Sequence, residues 1–257
     1  SSFLLSTSGL NTPLMYSKTT ENEVPPPPKT SISFILHSSS IGTGLDTISA
    51  KIVSEILCLP MDKITVVSGD TDSCAFDTGA YASSGTFFSG NASLVATKKL
   101  KDLILEEAAK QLDEEKTDLD VKAPGVVWSK KSGKEITYGE LSHTAISGTG
   151  RGQMIAHGSF VTAASSVPYG AHFAQVAVNV KTGEVKVQKF YALQDAGTPI
   201  NPEVALCQMY GAVMKSIGHS LYEGIILDKD GNTLNANLTD YGTPMIYEAP
   251  EDFKSVL

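Results

Sequence analysis

Three stretches of this chain combine residue types that hold a polar or anionic ligand with a position where such a ligand is well held. The first is IGTGLDT (41–47), in which Gly42 and Gly44 allow close backbone approach and Thr43 and Thr47 offer hydroxyl donors. Taken alone, the Gly-Thr-Gly run fits a helix cap equally well. It lacks the spacing of GxGxxG and the lysine of a Walker loop, which disfavours a dinucleotide or a nucleoside triphosphate. The second stretch, residues 68–92, reads SGDTDSCAFDTGAYASSGTFFSGNA and is too poor in large apolar side chains to be core. Ser83, Ser84 and Thr86 fall near the start of the helix it feeds, where unpaired N–H groups and the helix dipole favour an anion. No base lies beside them in sequence, so ligand contact is expected there and not nucleophilic chemistry. Asp70, Asp72 and Asp77 do not have EF-hand spacing, and turn formation is their expected use. The third stretch is QDAGTPINP (194–202), with Asn201 as a helix cap and Pro202 at the first helical position. Lys215, within VMKSIG (213–218), admits two readings: contact with a phosphate, or an ammonium snorkelling away from apolar surface.

Other chemistry-bearing residues are scattered. His37, His143, His157, His172 and His219 show no HExxH or similar spacing, so no zinc site is expected. Cys58, Cys74 and Cys207 form no CxxC pair, and their odd number fits a reducing compartment, expected to be the cytoplasm. Cys74 and Cys207 read as small buried apolar groups. A formal charge of −8 argues against a broad nucleic-acid or anionic-membrane surface. No apolar run is long enough to span a bilayer. At 257 residues and 41% hydrophobic, the chain can bury a full core as one large domain or two packed subdomains.

The elements that must position these loops follow from periodicity. Residues 1–30 are Ser/Thr-rich with a Pro25–Pro28 run and read as an arm or connector. Strand character at 31–36 precedes the first loop and a helical stripe of Ile48, Ile52, Val53, Ile56 and Leu57 that stops before Pro60. A strand at 64–67 precedes the second loop, and a helix from about 87 to 111 turns Leu94, Leu100, Leu103, Ile104 and Ala108 inward. A charged turn (113–120), short strands near 126–128, a short helix at 136–141 and a glycine-rich break at 148–152 come next. The clearest feature is a hairpin of strands 173–180 and 185–192 around KTGE. It runs into the third loop and a helix from Pro202 to about Tyr222, with Val204, Met209, Val213, Ile217 and Leu221 on its apolar positions. Three strand–loop–helix units plus an antiparallel hairpin predict an α+β protein of mixed sheets with packed helices, not a doubly wound parallel sheet.

In this order and spacing the motifs resemble one family. IGTGLDT (41–47), VSGDTD (67–72), FDTGAYASS (76–84), SGNA (89–92), QDAGTPINP (194–202), QMYGA (208–212) and LTDYGTPM (238–245) look like the molybdenum-cofactor domain of the xanthine dehydrogenase and aldehyde oxidoreductase family. The resemblance covers residues 31–257 as the C-terminal portion of that domain, and residues 1–30 match poorly. It implies that the loops surround molybdopterin with molybdenum, often a cytosine dinucleotide in this family, with three helix starts converging on it. It implies hydroxylation of an N-heterocycle or aldehyde, with electrons leaving through iron–sulfur clusters and FAD on partner chains or other domains of an oligomeric enzyme. Gly42, Thr43, Gly44 and Thr47 match the family's cofactor loop; Ala82 and Ser83, with Ser84 beside them, match the segment nearest the metal, Ala82 nearest of all. Gln208 matches a helix residue facing the pterin, and Lys215 stands where many members carry Gln or Met close to the cofactor, which adds it to the expected cofactor-binding residues. No residue here ligates the metal directly, and no catalytic residue is assigned, because the family's glutamate base follows the LTDYGTPM-like stretch in a GxGE-like segment that 1–257 does not contain. The chain is thus expected to be a fragment or a subunit of a split enzyme, inactive alone. A structural module of the same fold that has lost its cofactor is the alternative.

Overall fold

The computed structural model describes residues 2–7, 30–72, 74, 76, 77, 79–147, 152–164 and 166–257, with side chains from Ile32 onward. The elements are β1 (Ser2–Thr7), β2 (Thr30–Leu36), α1 (Leu45–Leu57), β3 (Ile64–Ser68), α2 (Gly85–Leu112), β4 (Leu119–Lys122), β5 (Val126–Ser129), β6 (Glu135–Thr137), α3 (Tyr138–Ser147), β7 (Met154–His157), β8 (Tyr169–Val178), β9 (Val185–Asp195), α4 (Pro202–Leu221), α5 (Leu238–Tyr241) and β10 (Asp252–Val256). The mixed α+β architecture expected from the motifs is the one observed. Compact packing divides the chain into Ser1–Ser166 and Val167–Leu257.

In the first unit, β2 and β3 pair in parallel, Ile32 opposite Ile64, which requires the crossover that α1 provides. β1 lies between β2 and β7 and is antiparallel to both, giving the order β3-β2-β1-β7. Residues 2–7 therefore depart from the arm expected for 1–30: SFLLST is a short apolar run bounded by serine and threonine, long enough for one interior strand. The Pro25–Pro28 run lies outside the described residues. Alternation on β2 buries Ile32, Phe34 and Leu36 against Val53 and Leu57 of α1, Leu100 and Ile104 of α2, and Leu141 of α3. α1 ends where Cys58 turns left-handed (φ 49°) ahead of Pro60, and α2 ends at Asp113 (φ 54°), whose N–H bonds the Ala109 carbonyl. Leu100, Ile104 and Ala108 are buried as expected.

Two local expectations fail here. The 113–120 segment is not all turn, since 119–122 pairs with β5 in a small antiparallel sheet ordered β4-β5-β6. The helix expected at 136–141 begins only at Tyr138, because Glu135–Thr137 finish that sheet first. On β4, Asp120 accepts from Lys101 at 2.9 Å and pairs with Lys130 at 3.1 Å, and the Lys101 hydrogen bond holds its carboxyl at about 2. A carboxyl lowered on folding contributes stability above its unfolded value near ~4 and loses it as pH falls toward about 2. With this side chain 37% exposed, solvent screens the pair. Asp120→Asn should therefore cost under ~1 kcal/mol at neutral pH, and the difference from the parent should vanish below pH ~2 in acid-dependent unfolding.

In the second unit, the expected hairpin forms as β8 and β9, longer at the outer ends than predicted and bulged at Gln175/Val176. Gly183 (φ 78°) supplies the left-handed residue of its turn. β10 adds to β9 in parallel, a strand for which the sequence reading offered no element. Val213 and Ile217 of α4 pack with Val187 and Ala192 of β9, and Met209, Phe190 and Phe253 flank them. Leu221, expected on the apolar face, is 37% exposed.

Candidate functional site

The first unit brings two of the three helix-start loops to one cavity of about 350 Å³. Ser38 and Ser39 reach it from the β2–α1 connection, Leu45 from the first position of α1, Tyr81, Ala82 and Ser84 from the loop before α2, and Phe88 and Ser89 from α2 itself. Thr162, Ala163, Ala164 and Ser166 close another side. The polar lining is mostly hydroxyl: Ser38 and Ser89 share a hydrogen bond at 2.8 Å, and Asp77 is the only carboxylate among the described lining residues. Among the described residues, no lysine or arginine lines it.

Backbone geometry distinguishes the turn that enters α2. Ala82 (φ 50°) and Ser83 (φ 57°) are both left-handed, an arrangement that costs about 1–3 kcal/mol for each non-glycine residue and persists only where surroundings enforce it. Ser84 then returns to the right-handed region as the residue before α2, its N–H bonding the Tyr81 carbonyl at 3.0 Å. Its hydroxyl caps nothing, and neither α1 nor α2 has a side-chain cap. First-turn N–H groups of both helices therefore lack a side-chain partner where the two helices border the cavity.

Not every predicted residue lines this cavity. Gly42 (φ 98°) and Gly44 (φ 73°) shape the loop, with open space where a Gly42 side chain would sit, yet the wall itself is made by their neighbours Ser38, Ser39 and Leu45. Thr43 is half-buried and Thr47 exposed on α1. Asp46 carries a buried Oδ1 without a hydrogen-bond partner. Ala82 and Ser84 are in the wall; Ser83 offers its carbonyl to the Ser166 hydroxyl at 3.3 Å. Asp70 and Asp77 accept the N–H groups of Asp72 and Gly79, the turn-forming use expected of them. Among the described residues, no three His, Cys, Asp or Glu side chains cluster as a metal site would require.

Gln208 and Lys215 stand on α4 in the second unit. Gln208 is exposed. Asn201 precedes α4 as expected, but its side chain makes no capping bond; Pro202 alone marks the start. Neither reading of Lys215 describes it fully: its ammonium meets Glu223 at 2.7 Å and lies 5.7 Å from the Tyr241 ring centroid. The Tyr241 hydroxyl also donates to Glu223, at 2.9 Å. Hydrogen bonding raises the Lys215 pKa and lowers that of Glu223, so the pair stays charged across neutral pH. Cys74 donates to the Leu36 carbonyl and is partly covered, whereas Cys207, expected to be buried, is exposed because it falls on the open side of α4.

Sequence reasoning missed Ser38, Ser39, Tyr81, Phe88, Thr162, Ala163, Ala164 and Ser166 as cavity walls. The small-residue run VTAASS (161–166) was the available signal, since small side chains next to a loop-rich site leave room for a ligand. The left-handed pair had no signal, because neither Ala82 nor Ser83 is a residue type that prefers that region.

Fold and site together define a cofactor-holding domain. The chain belongs to the molybdopterin cofactor-binding domain family, whose model matches residues 9–250. A probable hypoxanthine oxidase, XdhD, of Escherichia coli K12 is 49% identical over 227 residues, covering 88% of this chain and 24% of that protein. The carbon monoxide dehydrogenase large chain of Afipia carboxidovorans is 29% identical, covering 87% of this chain and 28% of that protein. This chain thus spans about a quarter of the curated relatives it matches. Among solved structures, a Cu,Mo-CO dehydrogenase superposes with TM-score 0.77 at 26% identity, over 99% of this chain and 30% of that one. Quinoline 2-oxidoreductase of Pseudomonas putida 86 superposes with TM-score 0.76 at 22% identity, a likeness of fold.

Proposed function

We propose that this chain is part of a molybdenum hydroxylase and supplies one wall of its molybdopterin site, for hydroxylation of an N-heterocycle or aldehyde. The observation that carries this reading is the Ala82–Ser83 left-handed turn, set at a cavity bordered by two helix starts without side-chain caps. The donor set suits the group. Neutral hydroxyls and backbone N–H groups can hold the pterin and dithiolene side of such a cofactor without a cation.

When bound, molybdenum supplies two-electron oxidation of the substrate carbon with oxygen derived from water. The residues of this chain bind and orient. Ser84 and the start of α2 present donors at one side of the cavity, and the Ser38–Ser89 pair fixes the hydroxyls at another. Tyr81, Phe88 and Leu45 contribute apolar surface that limits water. For the second unit, the assignment of Gln208 to the pterin rests on the family resemblance, and Lys215 acts through its pairing with Glu223 to hold α4. The name of the 49% identical relative favours an N-heterocycle over an aldehyde. The general base, the iron–sulfur clusters, FAD and the cytosine dinucleotide form of the pterin belong to the same proposal, as does a cytoplasmic location. Among the described residues, no helix is long and apolar enough to cross a membrane.

Elemental analysis and pterin fluorescence on the protein purified with its native partners test the reading. Stoichiometric molybdenum and pterin are expected, and turnover from residues 1–257 alone is not. Absence of both from the complete assembly would favour the structural module without cofactor.

A further inference from the structure

The stretch that leaves β7 runs back along α2 and meets it at successive points. Lys99 donates to the His157 carbonyl at 3.2 Å. Gly158 follows, so close to the helix that an added Cβ would lie 2.5 Å from the Ala96 nitrogen and 2.6 Å from the Ala92 oxygen, so glycine is required there. Phe160 sets its ring edge-on to Phe87 at 5.7 Å and tilted to Phe88 at 6.0 Å. Thr162, Ala163 and Ala164 then line the cavity, and the Ser166 hydroxyl reaches the Ser83 carbonyl at 3.3 Å. The contacts step from Lys99 back to Ser83 as the chain advances from His157 to Ser166.

We infer that this stretch is a strap that holds the strained 82–84 turn in its cavity-lining shape, with Phe160 and Ser166 as positioning residues. The turn needs such a device. Two consecutive left-handed non-glycine residues persist only where the surroundings hold them, and within the turn a single backbone bond, from Ser84 N–H to the Tyr81 carbonyl, closes around Ala82 and Ser83, leaving the strap to supply the remaining contacts. Phe160 secures the strap against the first turn of α2, and Ser166 ties its far end to Ser83 itself. The effect of the strap on cofactor retention rests on the function proposed above; its effect on the turn does not.

Amide hydrogen exchange over residues 82–88 in the intact protein, paired with the rate of pterin release followed by fluorescence, tests both halves. Phe160→Ala should speed exchange over 82–88 about tenfold, because the ring contacts that order this region are lost. Exchange in β2 and β3 should stay unchanged, which separates loss of positioning from general destabilisation. Pterin release should accelerate in step, with Phe160→Tyr restoring both rates. Ser166→Ala should act in the same direction and Ser166→Thr should rescue it, which keeps the test available if Phe160→Ala does not fold. Unchanged exchange over 82–88 in both alanine variants would overturn the strap. Faster exchange with unaltered pterin release would overturn its role in retention. A parent protein without pterin would refute the cofactor reading, while the exchange results would still decide whether the strap holds the turn.

Discussion

Replacing Ala82 with isoleucine is expected to leave the intact protein folded but largely stripped of molybdenum and pterin. Ala82 sits at φ 50° in the cavity wall. A β-branched side chain is a genuine outlier in that region, so the turn must either carry added strain or revert to a right-handed or extended shape. Either outcome damages the wall: a retained turn places the larger side chain in the cavity, and a reverted one moves Ser83 and Ser84. Strain of about 2 kcal/mol charged against the bound conformation corresponds to a ~30-fold loss of affinity. Ala82→Gly gives the contrast, since glycine accepts the left-handed region without a steric penalty and should keep its molybdenum. Elemental analysis of the two variants beside the parent reads the result. Equal molybdenum in parent and Ala82→Ile would remove the turn from the site.

Phe34→Ala should have the largest effect on stability. Phe34 is fully buried at the centre of β2, between Ile32 and Leu36, in the cluster that α1, α2 and α3 cover. Truncating a phenylalanine there loses its transfer free energy and leaves a cavity, costing about 3–5 kcal/mol. For a unit of this size the midpoint of thermal unfolding should fall by ~10 °C. Trp128, the single tryptophan of this sequence, lies on β5 in the same unit, so its fluorescence follows the transition. A fall of only a degree or two would mean that β2 is not central to this core.

The same two residues mark what the sequence made legible. Phe34 was readable because Ile32, Phe34 and Leu36 alternate, and a period of two has few explanations besides a half-buried strand. The 185–192 part of the second hairpin arm was readable for the same reason, and the long helix after the second loop by its helical stripe of apolar residues. Ala82 was readable only in part. Its small neighbours and the helix after them indicated a ligand loop, and resemblance placed it near a metal, but no residue type announced the left-handed pair. That shape depends on contacts made from far along the chain, at Phe160 and Ser166. Lys215 shows the same limit from the other side: its partner Glu223 lies beyond the end of α4, where helical periodicity carries no information. β1 was missed because six residues ahead of a proline-rich stretch show too little pattern to be told from an arm, and their strand is defined by pairing with β2 and β7.

The most direct measurement is anomalous diffraction at the molybdenum edge from crystals of the intact protein. The account predicts a single strong peak per chain at the cavity walled by Ala82, Ser84 and the Ser38–Ser89 pair. A molybdenum peak remote from that cavity, or none in a protein purified with all its partners, would contradict it.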